Sequence, residues 1–163
     1  MSSVTIALLN IFIWPVAHVS VSWWALRLDS TKFHSEDFLY RERFWEFGGA
    51  LYERLFLIKK WKRLLPDGAA MLGVEVSRNI NSLLTPTGQQ KLFNETMRSE
   101  LAHWMTMIIG LLLSVFNSFE VWLVMLAYAI VANVPCILAQ RYNRIKLGKI
   151  LTKKKRPQNN LMF

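Results

Sequence analysis

All twenty Lys and Arg residues fall in two stretches, 27–98 and 141–163, and nowhere else. Met1–Leu26 has no charged residue, and Leu101–Gln140 carries only Glu120. Apolar runs bracketed by basic segments read as transmembrane helices whose basic flanks stay in the cytoplasm. A soluble domain would spread its apolar residues periodically through the chain, whereas here they come in blocks. The expected class is therefore an all-α integral membrane protein. About three transmembrane helices are expected, with one re-entrant or interfacial amphipathic helix.

The predicted spans are about 4–26, 99–116 and 121–140, joined by a cytoplasmic or interfacial section over 27–98. Residues 1–150 form one membrane domain, and 151–163 a basic tail disordered after Pro157. Positive charge on the inner side puts the N-terminus outside and the C-terminus in the cytoplasm of a multi-pass cell-membrane protein. The first apolar run lacks a basic start and closes on Trp23-Trp24, an interfacial pair. It is therefore expected to be a retained helix rather than a cleaved leader. Anionic lipid accounts for the net charge of +9 without nucleic acid. A lone Cys136 excludes an intrachain disulfide framework.

Phe44–Ile58 is apolar but short for a span of roughly 20 residues. Glu46, Glu53 and Arg54 also favour an interface-lying or re-entrant helix there. Leu65-Pro66-Asp67-Gly68 has turn composition, and Asn79–Gly88 reads as a loop. The second long helix is expected to begin near Asn94, and the third to kink at Pro135.

Polar and ionisable groups inside an apolar span cost energy unless they meet a partner or water, so they mark candidate sites. Glu100 and His103 lie three residues apart, on one helical face. A carboxylate there can orient the imidazole as a general base, or both can simply cap an interfacial helix start. Arg98 points elsewhere and suits a phosphate or another carboxylate. Asn133, Gln140 and Arg144 share a stripe fit for substrate or for interhelical bonding. Lys60, Trp61 and Lys62 belong to a basic run that meets lipid headgroups or the phosphates of an acyl donor such as acyl-CoA. Asp67 is a turn former or a second carboxylate, and His18 has no nearby carboxylate. No phosphate loop, metal pair or nucleophile elbow is present, and nothing calls for a cofactor.

The blocks Trp45-Glu46-x-x-Gly49 with Tyr52, Lys60-Trp61-Lys62 and Leu65–Gly68 resemble the glycosyl-4,4'-diaponeurosporenoate acyltransferases. So do Glu95-Thr96-x-Arg98-x-Glu100-Leu101-x-His103-Trp104, Asn133-x-Pro135 and Gln140-Arg141-Tyr142-Asn143-Arg144 with Leu147. That resemblance, over residues 45–147, implies transfer of a fatty acyl group to a sugar hydroxyl of a glycosylated carotenoid in staphyloxanthin-type biosynthesis. On it, His103 is the expected base, with Glu100, Glu46 or Asp67 as its orienter. Arg98, Arg141, Tyr142, Asn143 and Arg144 join the substrate-binding set, with Arg98, Asn143 or Arg144 expected to stabilise the oxyanion or hold phosphates. Expected partners are membrane lipids, an acyl donor and a lipid-soluble glycosylated acceptor, with a second copy of the chain as a further candidate. The alternatives are acylation of another lipid acceptor and a non-catalytic membrane scaffold.

Overall fold

The computed structural model describes residues 3–65, 85–113 and 117–159, and everything described is helix, turn or connection. Helix α1 covers Ser3–Leu26 and runs through Pro15. A 3-10 turn at Ser30–Lys32 follows, capped by the Asp29 side chain. The next section holds a 3-10 turn at Phe44–Gly49, then two short helices, α2 (Ala50–Arg54) and α3 (Ile58–Trp61), and a turn at Lys62–Leu64. Helix α4 covers Pro86–Leu113 and α5 covers Phe119–Asn159.

Helices α1, α4 and α5 form the bundle. Trp14 ties α1 to α5, donating from Nε1 to Met125 Sδ at 3.1 Å and meeting Tyr128 edge-on at 4.8 Å. Its ring lies on Gly110, where an added Cβ would come 2.0 Å from Trp14 Cη2, so glycine is needed for the helices to approach. Below it the buried residues Ala17, Val21 and Ala25 continue one face of α1 at four-residue steps. Just before α5, Asn117 exchanges two side-chain hydrogen bonds with Asn10, of 2.8 and 3.1 Å. At the opposite end Arg98 donates to the Leu26 carbonyl at 3.4 Å, meeting one of the acceptors that α1 leaves open at its C-terminus. These contacts run α4 antiparallel to both α1 and α5.

Two of the three expected spans are long and apolar enough to cross a bilayer: Leu9–Leu26, and a stretch of α5 within Phe119–Lys153. The apolar part of α4 ends at Leu113 among the described residues, because 114–116 lie outside them. With 41 residues, α5 is about 60 Å long, about twice the hydrocarbon thickness. Its length therefore exceeds what one crossing would need. It continues helical to Asn159, beyond the point near residue 150 where the sequence separates domain from tail.

Two expectations about local structure change. Helix α4 begins at Pro86, not Asn94: Thr85 Oγ1 accepts from Gly88 N at 3.1 Å, and Pro86 sits in the first position, where no N–H is needed. The Thr-Pro-Thr-Gly sequence that reads as a loop is thus a helix start. Residues 44–58 are not one helix. Phe47, Gly48 and Gly49 have φ of 48°, 62° and 91°, and Leu57 has 48°, so the chain turns left-handed twice. The resulting strap packs Tyr52 and Ile58 onto Ala139, Tyr142 and Ile145 of α5, with Trp61 and Leu65 at the edge. Pro66, Asp67 and Gly68 of the expected turn, and residues 79–84, lie outside the described residues.

Candidate active site

The strap, α4 and α5 bring four charged side chains together at the end of the bundle where α4 begins. Glu46 and Glu100 are fully buried, and Arg144 is 4% exposed. Arg141 donates from Nε to Glu46 Oε1 and from Nη1 to Glu100 Oε1, both at 3.0 Å. It also reaches the carbonyls of Leu39 (2.8 Å) and Arg41 (3.2 Å). Arg144 donates to Glu100 Oε2 at 2.5 Å and to the Tyr40 carbonyl at 3.2 Å. The Tyr52 hydroxyl and the Arg43 amide complete the shell of Glu46.

Two carboxylates and two guanidiniums balance, which is the condition for burying charge at all. Burial alone would raise the Glu46 pKa; hydrogen bonds from Arg141, the Arg43 amide and Tyr52 outweigh it and hold the carboxyl below its ordinary range. The Tyr40 hydroxyl is pushed up to about 12 by burial and by the Glu100 carboxylate.

Further along the α4–α5 seam, toward the start of α5, sits a different pair. Asn133 is fully buried, and its Nδ2 donates to the Ala129 carbonyl at 3.0 Å. Its Oδ1 therefore faces His103 Nδ1, at 3.0 Å, and accepts. That network assigns the proton to Nδ1 and leaves Nε2 with a lone pair. His18 Nε2 on α1 is buried without a hydrogen-bond partner among the described residues.

Beside the seam runs a groove of about 570 Å³, walled by Leu51, Tyr52, Leu55 and Phe56 of the strap and by Ile137 and Leu138 of α5. Trp104 and Val134 also line it, and they directly follow His103 and Asn133 in sequence. Arg43 and Arg141 line it as well. A second, more open hollow of about 490 Å³ involves Arg41, Glu42 and Phe44, and shares Phe38, Arg43 and Trp45 with the first.

A family model described as glycosyl-4,4'-diaponeurosporenoate acyltransferase matches residues 36–153. The chain belongs to that family. Proteins named glycosyl-4,4'-diaponeurosporenoate acyltransferase from Staphylococcus aureus and Staphylococcus haemolyticus are each 29% identical to it, over 145 and 142 residues. Those alignments cover 85% and 87% of this chain, and 83% and 82% of the relatives. No solved structure matches. The matched region of this acyltransferase holds the charged cluster, the His103–Asn133 pair and both hollows, whereas His18 lies before it.

Measured against the sequence expectation, this acyltransferase regroups the site residues. Glu100 is not the orienter of His103: both its oxygens go to arginines, with Trp104 Nε1 a longer donor at 3.4 Å. A full positive charge from α5 outcompetes a neutral imidazole on the same helix. Glu46 likewise faces Arg141, and Asn133 takes the orienting position instead. Arg98 pairs with Glu95 and caps α1, so it meets a carboxylate rather than a free anion site.

Within the basic run, Lys62 donates to Asn143 at 2.9 Å, and Trp61 Nε1 donates to the Phe56 carbonyl at 2.7 Å. Tyr142 donates to Glu53, which also binds Lys59 and Lys146. Lys60 is exposed and Gln140 half-buried. Asp67 lies outside the described residues. The sequence reading missed the part played by Tyr52 and the Tyr40 carbonyl. Its available signal was charge balance: two acids in apolar surroundings require two bases, and Arg141 and Arg144 lie one turn apart.

Proposed function

We propose that this protein transfers a fatty acyl group to a sugar hydroxyl of a glycosylated carotenoid, with His103 as the general base. Three helices, α1, α4 and α5, cross the bilayer with the N-terminus outside and the charged cluster at the inner face. The orientation rests on the Lys and Arg distribution. The observation that carries the chemical reading is the His103–Asn133 hydrogen bond, which fixes the proton on Nδ1 and leaves Nε2 able to accept one.

In the proposed step the acceptor hydroxyl oxygen attacks the acyl carbonyl as Nε2 takes its proton. A C–O ester bond forms and the carbonyl's bond to the carrier sulfur breaks. The departing thiolate then recovers the proton from the imidazolium. Arg98 and Arg144 are already engaged with Glu95 and Glu100, so no oxyanion role is given to them. The charged cluster positions the helices rather than reacting.

The test is purified protein in lipid nanodiscs, incubated with labelled acyl-CoA and a panel of glycosylated carotenoids and other glycolipids. The expected product is a labelled acyl ester of the carotenoid glycoside, absent with His103→Ala. Labelling of a different lipid in preference would overturn the acceptor, and no labelled lipid from any donor would overturn the reaction.

A further inference from the structure

We infer that the two adjoining hollows form the acyl-donor site, and that they receive a thioester on a phosphate-bearing carrier. The hollow at Arg41, Glu42 and Phe44 would hold the phosphates, and the apolar groove the carrier arm with its thioester. The inference rests on the acyl-transfer reading above and assigns its second substrate to a place.

In the basic run that reads from sequence as a phosphate landing site, Lys59 is bound to Glu53 and Lys62 to Asn143. Burial, with Arg63 and Lys59 nearby, also lowers the Lys62 pKa, which is the mark of an ammonium taken partly out of water. Arg41 makes no ion pair among the described residues, and its guanidinium stands 5.6 Å from the exposed Phe38 ring. Arg43 lies on the same ring at 4.6 Å and donates one hydrogen bond to the Phe38 carbonyl, keeping other N–H groups for a ligand. Two guanidiniums over one aromatic ring match a planar or phosphorylated headgroup better than scattered lysines do. Glu42 shares this shelf, so the local excess is one positive charge.

The shelf opens into the groove through the shared residues Phe38, Arg43 and Trp45. From Arg141 to Val134 the groove follows seven residues of α5, roughly 10 Å at about 1.5 Å each. Its volume of about 570 Å³ falls inside the roughly 300–1,000 Å³ typical of ligand sites. A carrier arm of that reach would deliver its thioester to the level of Trp104 and Val134, one residue along each helix from His103 and Asn133. The acyl chain would then continue into lipid. A glycosylated carotenoid acceptor is neutral and gives no use for the two arginines, so the charge favours the donor.

The test uses a non-transferable thioether analogue of acyl-CoA, with a photoreactive group beside the thioether, bound to nanodisc protein. Crosslinks should fall on the groove, around Trp104 and Val134–Leu138, and excess acyl-CoA should remove them. Arg41→Gln, at an exposed position, should raise the Kd of the CoA-bearing analogue about tenfold and leave free fatty acid binding unchanged. Leu55→Trp, at the exposed rim, should narrow the groove and weaken the analogue without touching the charges.

Crosslinks on Lys60 or Arg63, or displacement of the analogue by the glycosylated carotenoid alone, would overturn the assignment. So would equal competition by free fatty acid together with an unchanged Kd in Arg41→Gln. Groove crosslinks with no transfer to any acceptor would count against the proposed reaction while supporting the donor site.

Discussion

The charged cluster at Glu46, Glu100, Arg141 and Arg144 and the His103–Asn133 pair lie on the same α4–α5 seam, and they are built on opposite terms. In the cluster every charge is committed: each oxygen of Glu46 and of Glu100 meets a cationic donor, and backbone carbonyls occupy further guanidinium N–H groups. In the pair one ring nitrogen is fixed and the other is left with its lone pair. Saturation suits a joint that must hold strap and helices in register; an unspent lone pair suits chemistry. The most heavily charged place among the described residues is thus saturated, and the open acceptor lies elsewhere on the seam.

The comparison breaks most readily at Glu100. Glu100→Ala leaves Arg141 and Arg144 facing each other without their shared carboxylate, and loss of one partner of a buried ion pair costs about 3–5 kcal/mol. Thermal unfolding in detergent should show that variant as the least stable of the set. A wild-type melting temperature would mean that the cluster holds nothing together.

Asn133→Ala comes next. It leaves the His103 Nδ1–H unpaired in the bundle, a loss of about 1–3 kcal/mol. Because the tautomer is no longer fixed, kcat should fall while the KM for the acyl donor stays near wild type. A KM effect alone would make Asn133 a binding residue.

A smaller effect is expected from acid. Since the folded-state pKa of Glu46 is depressed, its contribution is present above the unfolded carboxylate pKa and is lost as pH falls through the folded value. Stability should therefore decline across the acidic range, and Glu46→Gln should flatten part of that decline. The smallest effect belongs to Glu53, whose pKa is held at about 2 by hydrogen bonds from Lys146, Lys59 and Tyr142 at a solvated surface. Glu53→Gln should change the melting temperature least, and that change should shrink as salt is added.

Much of this arrangement is legible in the sequence. Segregation of Lys and Arg locates α1 almost to the residue and α5 to within two residues of its start. Glu100 and Arg144 are candidates from type and place alone, whereas Glu46 and Arg141 enter through the family resemblance. What the one-dimensional pattern cannot supply is partnership. Three-residue spacing joins Glu100 to His103 within a helix, yet the opposite charges that claim Glu100 arrive from α5. Apolar composition likewise makes 44–58 look like one helix, although its Gly48-Gly49 pair carries the signal for a break. The start of α4 was hidden for the converse reason, because Thr85-Pro86 serves equally as a loop and as a cap.

The central claim is that reactivity resides in the imidazole and structure in the charged cluster. It is tested most directly by single-turnover acyl transfer with purified His103→Ala in nanodiscs, alongside its melting curve. The account predicts a rate lower by about 100- to 10,000-fold with the fold intact. A variant that keeps more than half of the wild-type rate would contradict it.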